Sequence, residues 1–308
     1  MIEGQEGVSW PQWLDLAQAC ERHGIGTLFR SDHYMNLDGQ HPERGSLDAW
    51  GTLCALAAAT TTLRLGTMVS PATFRHPSEL AKLVVTVDHV SGGRVELGLG
   101  AGWHEREHAA YGFSFAPTRT RLDVLEETLQ VVKRLWTEET VSFAGKHLEL
   151  DGAYCDPKPI QQLPPIWVGG GGEKKTLRIA ARHADATNWQ TGLPQFVHKS
   201  QVLADHCEAE GRDFESITRT HGPDCRLFDS DADLRAWLDT PDGGALWGSG
   251  DPDEYVRDNF VGTVEQVAEK VQGYVDAGCA EFILWFRDFP SSESLERFMA
   301  DVVPKVTQ

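Results

Sequence analysis

The chain has 308 residues with 28 Lys and Arg against 46 Asp and Glu, a formal charge of −18. Such a surface repels phosphates, which argues against nucleic acid and anionic membranes as partners, and any anionic ligand must be met by a local cluster of amides or basic groups. Apolar residues at 41% and charged residues at 24% are ordinary for a folded enzyme, and no run approaches the ~20 apolar residues of a membrane span.

The start, MIEGQEGVSW, has neither a basic nor an apolar stretch and reads as no signal peptide. Six scattered cysteines (Cys20, Cys54, Cys155, Cys207, Cys225, Cys279), with no Cys-x-x-Cys, are expected to be reduced thiols of a cytoplasmic protein. In chain order, the spacing predicts a helix over 10–22 with Ser9 as N-cap, a short buried strand over 27–30 and an alanine-rich helix over 47–60. A strand over 63–69, a helix over 77–90 stopped by Gly92-Gly93, a strand over 94–99 and a long amphipathic helix over 119–136 follow. Residues 141–150 read as a surface hairpin about Gly145. Beyond it come strands over 164–168 and 184–189, helices over 173–183, 194–210 and 231–238, and a strand within 216–228. A helix over 263–277, a strand over 281–286 and a closing helix over 295–303 complete the order.

Short apolar strands alternating with helices belong to a parallel sheet covered by helices. Counting Met1–Gly4 as a strand end gives eight units and predicts a (β/α)8 barrel, one domain over 1–308 with an excursion at 240–259 and chemistry at the C-terminal strand ends. A doubly wound sheet would want one dominant glycine fingerprint after the first strand, and none is present.

Several strand ends carry chemistry. The first gives Ser31-Asp32-His33-Tyr34, an Asp-His pair able to turn an imidazole toward a ligand, or else a cap and a surface histidine. Another gives Met68-Val69-Ser70-Pro71, where small and turn residues let backbone approach a flat ligand. Gly98-Leu-Gly100-Ala101-Gly102-Trp103 leaves bare backbone at alternate positions. His104-Glu-Arg-Glu-His108 then matches His-Glu-x-x-His formally, but it follows a strand-to-loop exit with no obvious third ligand, so no metal is expected. A later strand runs into Gly169-Gly170-Gly171-Gly172-Glu173-Lys174-Lys175 and a helix start, where free amides and two lysines make an anion site. Trp103, Trp167, Trp189, Trp247 and Trp285 are candidates for an aromatic pocket wall or for core.

Together these segments resemble the luciferase-like monooxygenase superfamily, and most of all its flavin and deazaflavin oxidoreductase branch, which uses coenzyme F420 or FMN. The resemblance rests on FRSDHY (29–34), LRLGTMVSPATFRHPSELAK (63–82), the stretch from TVDHVSGGR to HEREHAAYGF (86–113), PPIWVGGGGEKKTLRIAARHADATNW (164–189) and GTVEQVAEKVQGYVDAGCAEFILWF (262–286). It implies a (β/α)8 barrel with the ring system in its mouth. It also implies that Asp32 and His33 meet the ring, that Met68, Val69 and Ser70 form a bulge behind it, and that Gly100, Ala101, Gly102 and Trp103 line the ribityl chain. Gly169 to Lys174 would then hold the phosphate. Relatives that oxidise a sugar phosphate place a Glu where this chain has Trp103, which departs from their acid/base scheme.

The resulting expectation is an F420-dependent oxidoreductase that moves a hydride between the coenzyme and a small organic substrate, with His33 as its acid/base. An FMN-dependent monooxygenase served by a separate reductase and a non-catalytic flavin-binding protein are the alternatives. A homodimer through the helices at 47–60 and 77–90 is expected, and the loops at 36–46, 104–117 and 240–259 are expected to select the substrate.

Overall fold

The computed structural model describes all residues except 38–40, 42 and 308, so part of the 36–46 loop lies outside the described residues. The chain divides into two compact units, Met1–Thr187 with His206–Ile217, and Asn188–Asp205 with Thr218–Gln308.

The first unit contains strands β1 (Thr27–Arg30), β2 (Arg64–Thr67), β3 (Ser70–Pro71), β4 (Val95–Gly100), the hairpin β5 (Val141–Ala144) and β6 (Glu149–Ala153), and β7 (Ile166–Gly169). β1, β2, β4 and β7 pair in that order, all parallel, with Leu28 opposite Leu65, Leu65 opposite Val95 and Leu97 opposite Ile166. Every residue of β4 is buried, as a strand covered on both faces requires. Ahead of β1 a parallel bridge joins Ile2 to Arg30, so the strand expected at Met1–Gly4 is reduced to one bridged residue. Helices α1 (Trp10–Arg22), α2 (Ala49–Ala59), α3 (Pro77–Ser91), α4 (Glu105–Tyr111), α5 (Thr118–Thr137) and α6 (Thr176–His183) alternate with the strands. Their ends follow local chemistry. Gln12 reaches back to the Ser9 amide at the start of α1, Asp48 accepts from Gly51 at the start of α2, and Gly92 ends α3 in the left-handed region at φ 68°. The short α4 replaces part of the loop expected over 104–117.

Strand β8 (Ala186–Trp189) and helix α7 (Leu193–Glu210) each run from one unit into the other. The second unit holds β9 (Thr218–His221), β10 (Asp224–Leu227), β11 (Phe260–Gly262), β12 (Glu281–Phe282) and β13 (Trp285–Phe286). β9 pairs with β12, and β10 lies between β11 and β13, all parallel. The strands expected within 216–228 and over 281–286 are therefore each divided. The first break falls at Gly222-Pro223, where proline removes a ladder donor. The excursion at 240–259 forms two short helices, Pro241–Trp247 and Pro252–Asp258, capped by Thr240 and Asp251. They pack Leu246, Trp247, Tyr255 and Val256 on a core of Phe228, Leu234, Trp237, Leu238 and Val261. Among the described residues no helix is long and apolar enough to cross a membrane.

Candidate active site

The C-terminal ends of β1, β4 and β7 and the β2–β3 turn carry the predicted site residues, and contacts join Asp32 to Ser70, Val69 to Gly100 and Gly169, and His33 to Trp103. Behind them stands Val69, joined to Met68 by a cis peptide. A Cβ on Gly98 would lie 1.9 Å from the Thr67 carbonyl oxygen and 3.1 Å from Val69 Cγ1. A Cβ on Gly100 would lie 2.6 Å from Val69 Cγ2, and one on Gly169 2.8 Å from Val69 Cγ1. These glycines thus have a packing reason beside the one expected: the open side of Gly100 and Gly169 receives the valine, and that of Gly98 faces the Thr67 carbonyl oxygen. Gly102 has φ +77° and its Cβ would meet Thr73 Oγ1 at 2.8 Å, so glycine is required there as well. Ala101 beside it is half-buried.

Asp32 is 1% exposed, and both of its oxygens are engaged. Ser70 donates to Oδ2 at 2.6 Å and in turn accepts from Trp50 Nε1 at 3.1 Å. Arg75 straddles the carboxylate, with Nη1 to Oδ2 at 2.5 Å and Nη2 to Oδ1 at 3.2 Å, and Nη2 also donates to the Tyr34 hydroxyl and to Asp48 Oδ2, each at 3.1 Å. Burial lowers the Arg75 pKa, but the charge and hydrogen bonds of Asp32, with Tyr34 and Asp48, more than reverse this and hold the guanidinium charged. The Asp32 carboxylate is therefore the centre of a buried network. Arg75 is not among the residues expected at the site. Its signal is weak, a single arginine in the exit loop between Pro71 and Pro77.

His33 is half-buried, and its Nδ1 lies 2.7 Å from Glu107 Oε2. The other Glu107 oxygen accepts from the backbone amides of Tyr34 at 2.5 Å and Met35 at 3.3 Å. His104 Nδ1 stands 3.5 Å from the same Oε2, buried and without a hydrogen-bond partner among the described residues. The three groups place their ligand-type atoms within 4.8 Å of one another. Burial lowers the His33 pKa, but the Glu107 hydrogen bond and charge, with Glu3 and Asp32, overcome it and leave the value raised. Burial likewise raises Glu107, and its bonds to His33, Tyr34 and Met35 pull it below its ordinary value. The two directions agree on an ionised pair. His108 is elsewhere engaged, its Nδ1 2.8 Å from the His104 carbonyl oxygen and its Nε2 2.7 Å from Thr73 Oγ1. The His-Glu-x-x-His spacing therefore does not converge on one point.

Trp103 is 61% exposed, stacked on His104 at 5.0 Å between ring centres and edge-on to His33 at 5.7 Å. Tyr34 sits among Phe74, Tyr111 and Phe113, with centroids 5.2, 5.1 and 5.7 Å away. Trp167, by contrast, is buried against Phe29 and donates to Glu96.

At the end of β7, Gly170 has φ +106°, and the Gly172 carbonyl accepts from Leu177 as the chain enters α6. A Cβ on Gly172 would meet Thr176 Oγ1 at 2.9 Å. Glu173 contributes its carbonyl, which accepts from His206 Nε2 at 2.7 Å. Gly171 lies between, half-buried, and Lys174 is exposed. Lys175, expected beside it, instead points back to α5, where it pairs with Asp123 and donates to the Arg119 carbonyl oxygen at 3.1 Å.

Residues 2–281 match the luciferase-like monooxygenase family. The chain belongs to that family. This luciferase-like protein is 30% identical to the F420-dependent glucose-6-phosphate dehydrogenase of Kineococcus radiotolerans over 94% of its own length and 91% of the relative's. It is 29% identical to the F420-dependent hydroxymycolic acid dehydrogenase of Mycobacterium tuberculosis over 94% of this chain and 83% of that one. Its fold is shared with an F420-dependent secondary alcohol dehydrogenase solved with an F420-acetone adduct, at a TM-score of 0.85, 20% identity and full coverage of both chains. A tetrahydromethanopterin reductase from Methanopyrus kandleri follows at 0.79, with 17% identity, 99% of this chain and 98% of that one.

Proposed function

We propose that this chain is an oxidoreductase that moves a hydride between coenzyme F420 and a small organic substrate, on one (β/α)8 barrel over 1–308. The observation that carries the reading is His33, anchored through Nδ1 on a buried carboxylate and flanked by the exposed Trp103. The whole-length relatives named for F420 support the choice of coenzyme.

The residues fit such a group. A deazaflavin tail is anionic, and the glycine run 169–172 leads into the N-terminus of α6, which has no side-chain cap, beside the exposed Lys174 on an otherwise acidic chain. Asp32, Met68, Val69, Ser70, Gly100, Ala101, Gly102 and Trp103 would border the ring and ribityl chain. When bound, the coenzyme supplies a carbon that accepts or gives a hydride. His33 Nε2 takes the proton of a substrate hydroxyl in the oxidising direction, and the imidazolium returns one to a carbonyl or imine in the reducing direction. Glu107 supplies the counter-charge. Trp103 covers the site with an apolar face and offers no proton.

Titration of the purified protein with F420 and with FMN, followed by fluorescence, tests the coenzyme. F420 is expected to bind more tightly; FMN binding tenfold tighter, about 1.4 kcal/mol, overturns the assignment in favour of a flavin monooxygenase or a flavin-binding protein. In the same assay Lys174→Ala is expected to weaken F420 binding, more so at low salt. Lys175→Ala is expected to bind nearly as wild type, since its ammonium belongs to Asp123. Equal effects of the two changes would remove Lys174 from the tail site.

A homodimer is part of the same reading. α2 leaves Gly51, Ala55, Ala58 and Ala59 exposed, a face smooth enough for close helix contact. Light scattering at micromolar concentration is expected to give about twice 34.1 kDa, and a monomer mass refutes the dimer.

A further inference from the structure

We propose that Glu107 is the positioning residue of this site, a buried clamp that holds the His33 ring by Nδ1–H and reserves Nε2 for the substrate. The inference rests on the proton role proposed above for His33.

Glu107 has no exposed surface, and its partners are three consecutive residues of one loop: the His33 ring and the Tyr34 and Met35 amides. One oxygen is used on the ring and the other on the two amides, so the carboxylate fixes both the loop and the imidazole it carries. A histidine whose Nδ1–H is spent on a carboxylate has one tautomer when neutral, with the lone pair on Nε2. A proton taken at Nε2 then creates a cation 2.7 Å from an existing anion, with no reorganisation of solvent. The same anion could serve His104, whose Nδ1 lies 3.5 Å from Oε2 and has no hydrogen-bond partner of its own among the described residues. Oε2 meets the His33 ring at 2.7 Å and the His104 ring at 3.5 Å. The shorter contact assigns Oε2 to His33. His104 lies under the stacked Trp103 ring, away from solvent.

The other groups that act on His33 do not replace Glu107. Asp32, on the same loop, is neutralised by Arg75, and Tyr34 is a phenol that burial pushes up to about 12. Glu3, from the amino-terminal segment, adds a smaller field than Glu107. Removing the Glu107 charge is therefore expected to lower the His33 titration midpoint.

The test is nitrogen-15 NMR of the histidine side chains in the coenzyme-free protein, with His33 assigned by its loss in His33→Gln. In the wild type, neutral His33 is expected to be protonated at Nδ1 and to titrate above the ordinary ~6.5 of imidazole. In Glu107→Gln the midpoint is expected to fall by about one pH unit or more. In the loaded enzyme the same change is expected to lower kcat by about 10–100-fold with F420 affinity within a few-fold. A neutral His33 protonated at Nε2 in the wild type overturns the proposal without any variant, which keeps the test valid if Glu107→Gln fails to fold. A midpoint and tautomer unmoved in a folded Glu107→Gln overturn it too. If the NMR results hold but His33→Gln keeps full turnover, the clamp stands and the proton role of His33 falls, so the two failures are distinct.

Discussion

His33→Ala is expected to lose about 10²–10⁴-fold in turnover, the usual range for a positioned acid or base, while the protein folds and keeps most of its F420 affinity. The residue lies at a strand end with its ring fixed, and the exposed Trp103 beside it cannot exchange a proton at neutral pH. Because the His33 pKa is raised, the base form is reached only above the ordinary imidazole range. For substrate oxidation kcat/KM is therefore expected to rise with pH through that raised value, and for reduction to fall through it. The linkage to stability has the same origin. A histidine whose pKa is raised by folding adds stability below its unfolded pKa, and that contribution is lost as pH rises through the folded value. Steady-state kinetics over pH on the two proteins decide the matter. If affinity falls while turnover at saturating coenzyme stays within a few-fold, His33 is a packing residue and the proton must be handled elsewhere.

The elements around this histidine were legible because their signals are local. Ser9 with Pro11 and Gln12, Pro77 with Gly92, and the alternation about Gly145 set the limits of α1, α3 and the β5–β6 hairpin within a residue or a few of the expected ones. His33 and Asp32 stood out as an Asp-His pair at a strand end. The partners that give these two residues their character were not visible, since each meets them across a long sequence separation. Glu107 is 74 residues from His33, and Arg75 is 43 from Asp32. Glu107 was also masked by its setting, because a His-Glu-x-x-His match in a presumed loop draws attention to the two histidines. Only the helical turn of α4 turns its third residue inward. The glycines illustrate the converse. Gly98, Gly100 and Gly169 are expected as bare backbone open to a ligand, but the Val69 side chain that packs against Gly100 and Gly169, and the Thr67 carbonyl that closes on Gly98, follow from the register of several strands and not from any of them alone. Lys174 and Lys175 are adjacent and identical in type, and only the position of Asp123 on α5 separates their roles.

Arg75→Met is expected to cost about 3–5 kcal/mol of folding stability, the usual penalty for breaking a buried ion pair from one side. The Arg75 side chain is 7% exposed and that of Asp32 1%, so the carboxylate left behind keeps, among the described residues, only Ser70 as a donor and has little water to turn to. The contact of the same guanidinium with Asp48 provides an internal control. The Asp48 side chain is 51% exposed, and solvent-screened pairs of that kind contribute at most about 1 kcal/mol. Asp48→Asn also preserves the cap of α2, since Asn is as good an N-cap as Asp. Denaturant unfolding of the two variants is thus expected to separate them by several-fold in ΔΔG. Asp32→Asn is expected to fall between, because Arg75 then retains Asp48 and Tyr34 and the amide can still accept from Ser70. In the Asp32→Asn background, Arg75→Met is expected to cost much less than it does alone, which is the signature of a direct pair in a double-mutant cycle. If Arg75→Met lies within about 1 kcal/mol of wild type, the range of an ordinary exposed pair, Arg75 is a surface cation. The Asp32 carboxylate would then border the coenzyme ring as a charge without a buried counter-ion.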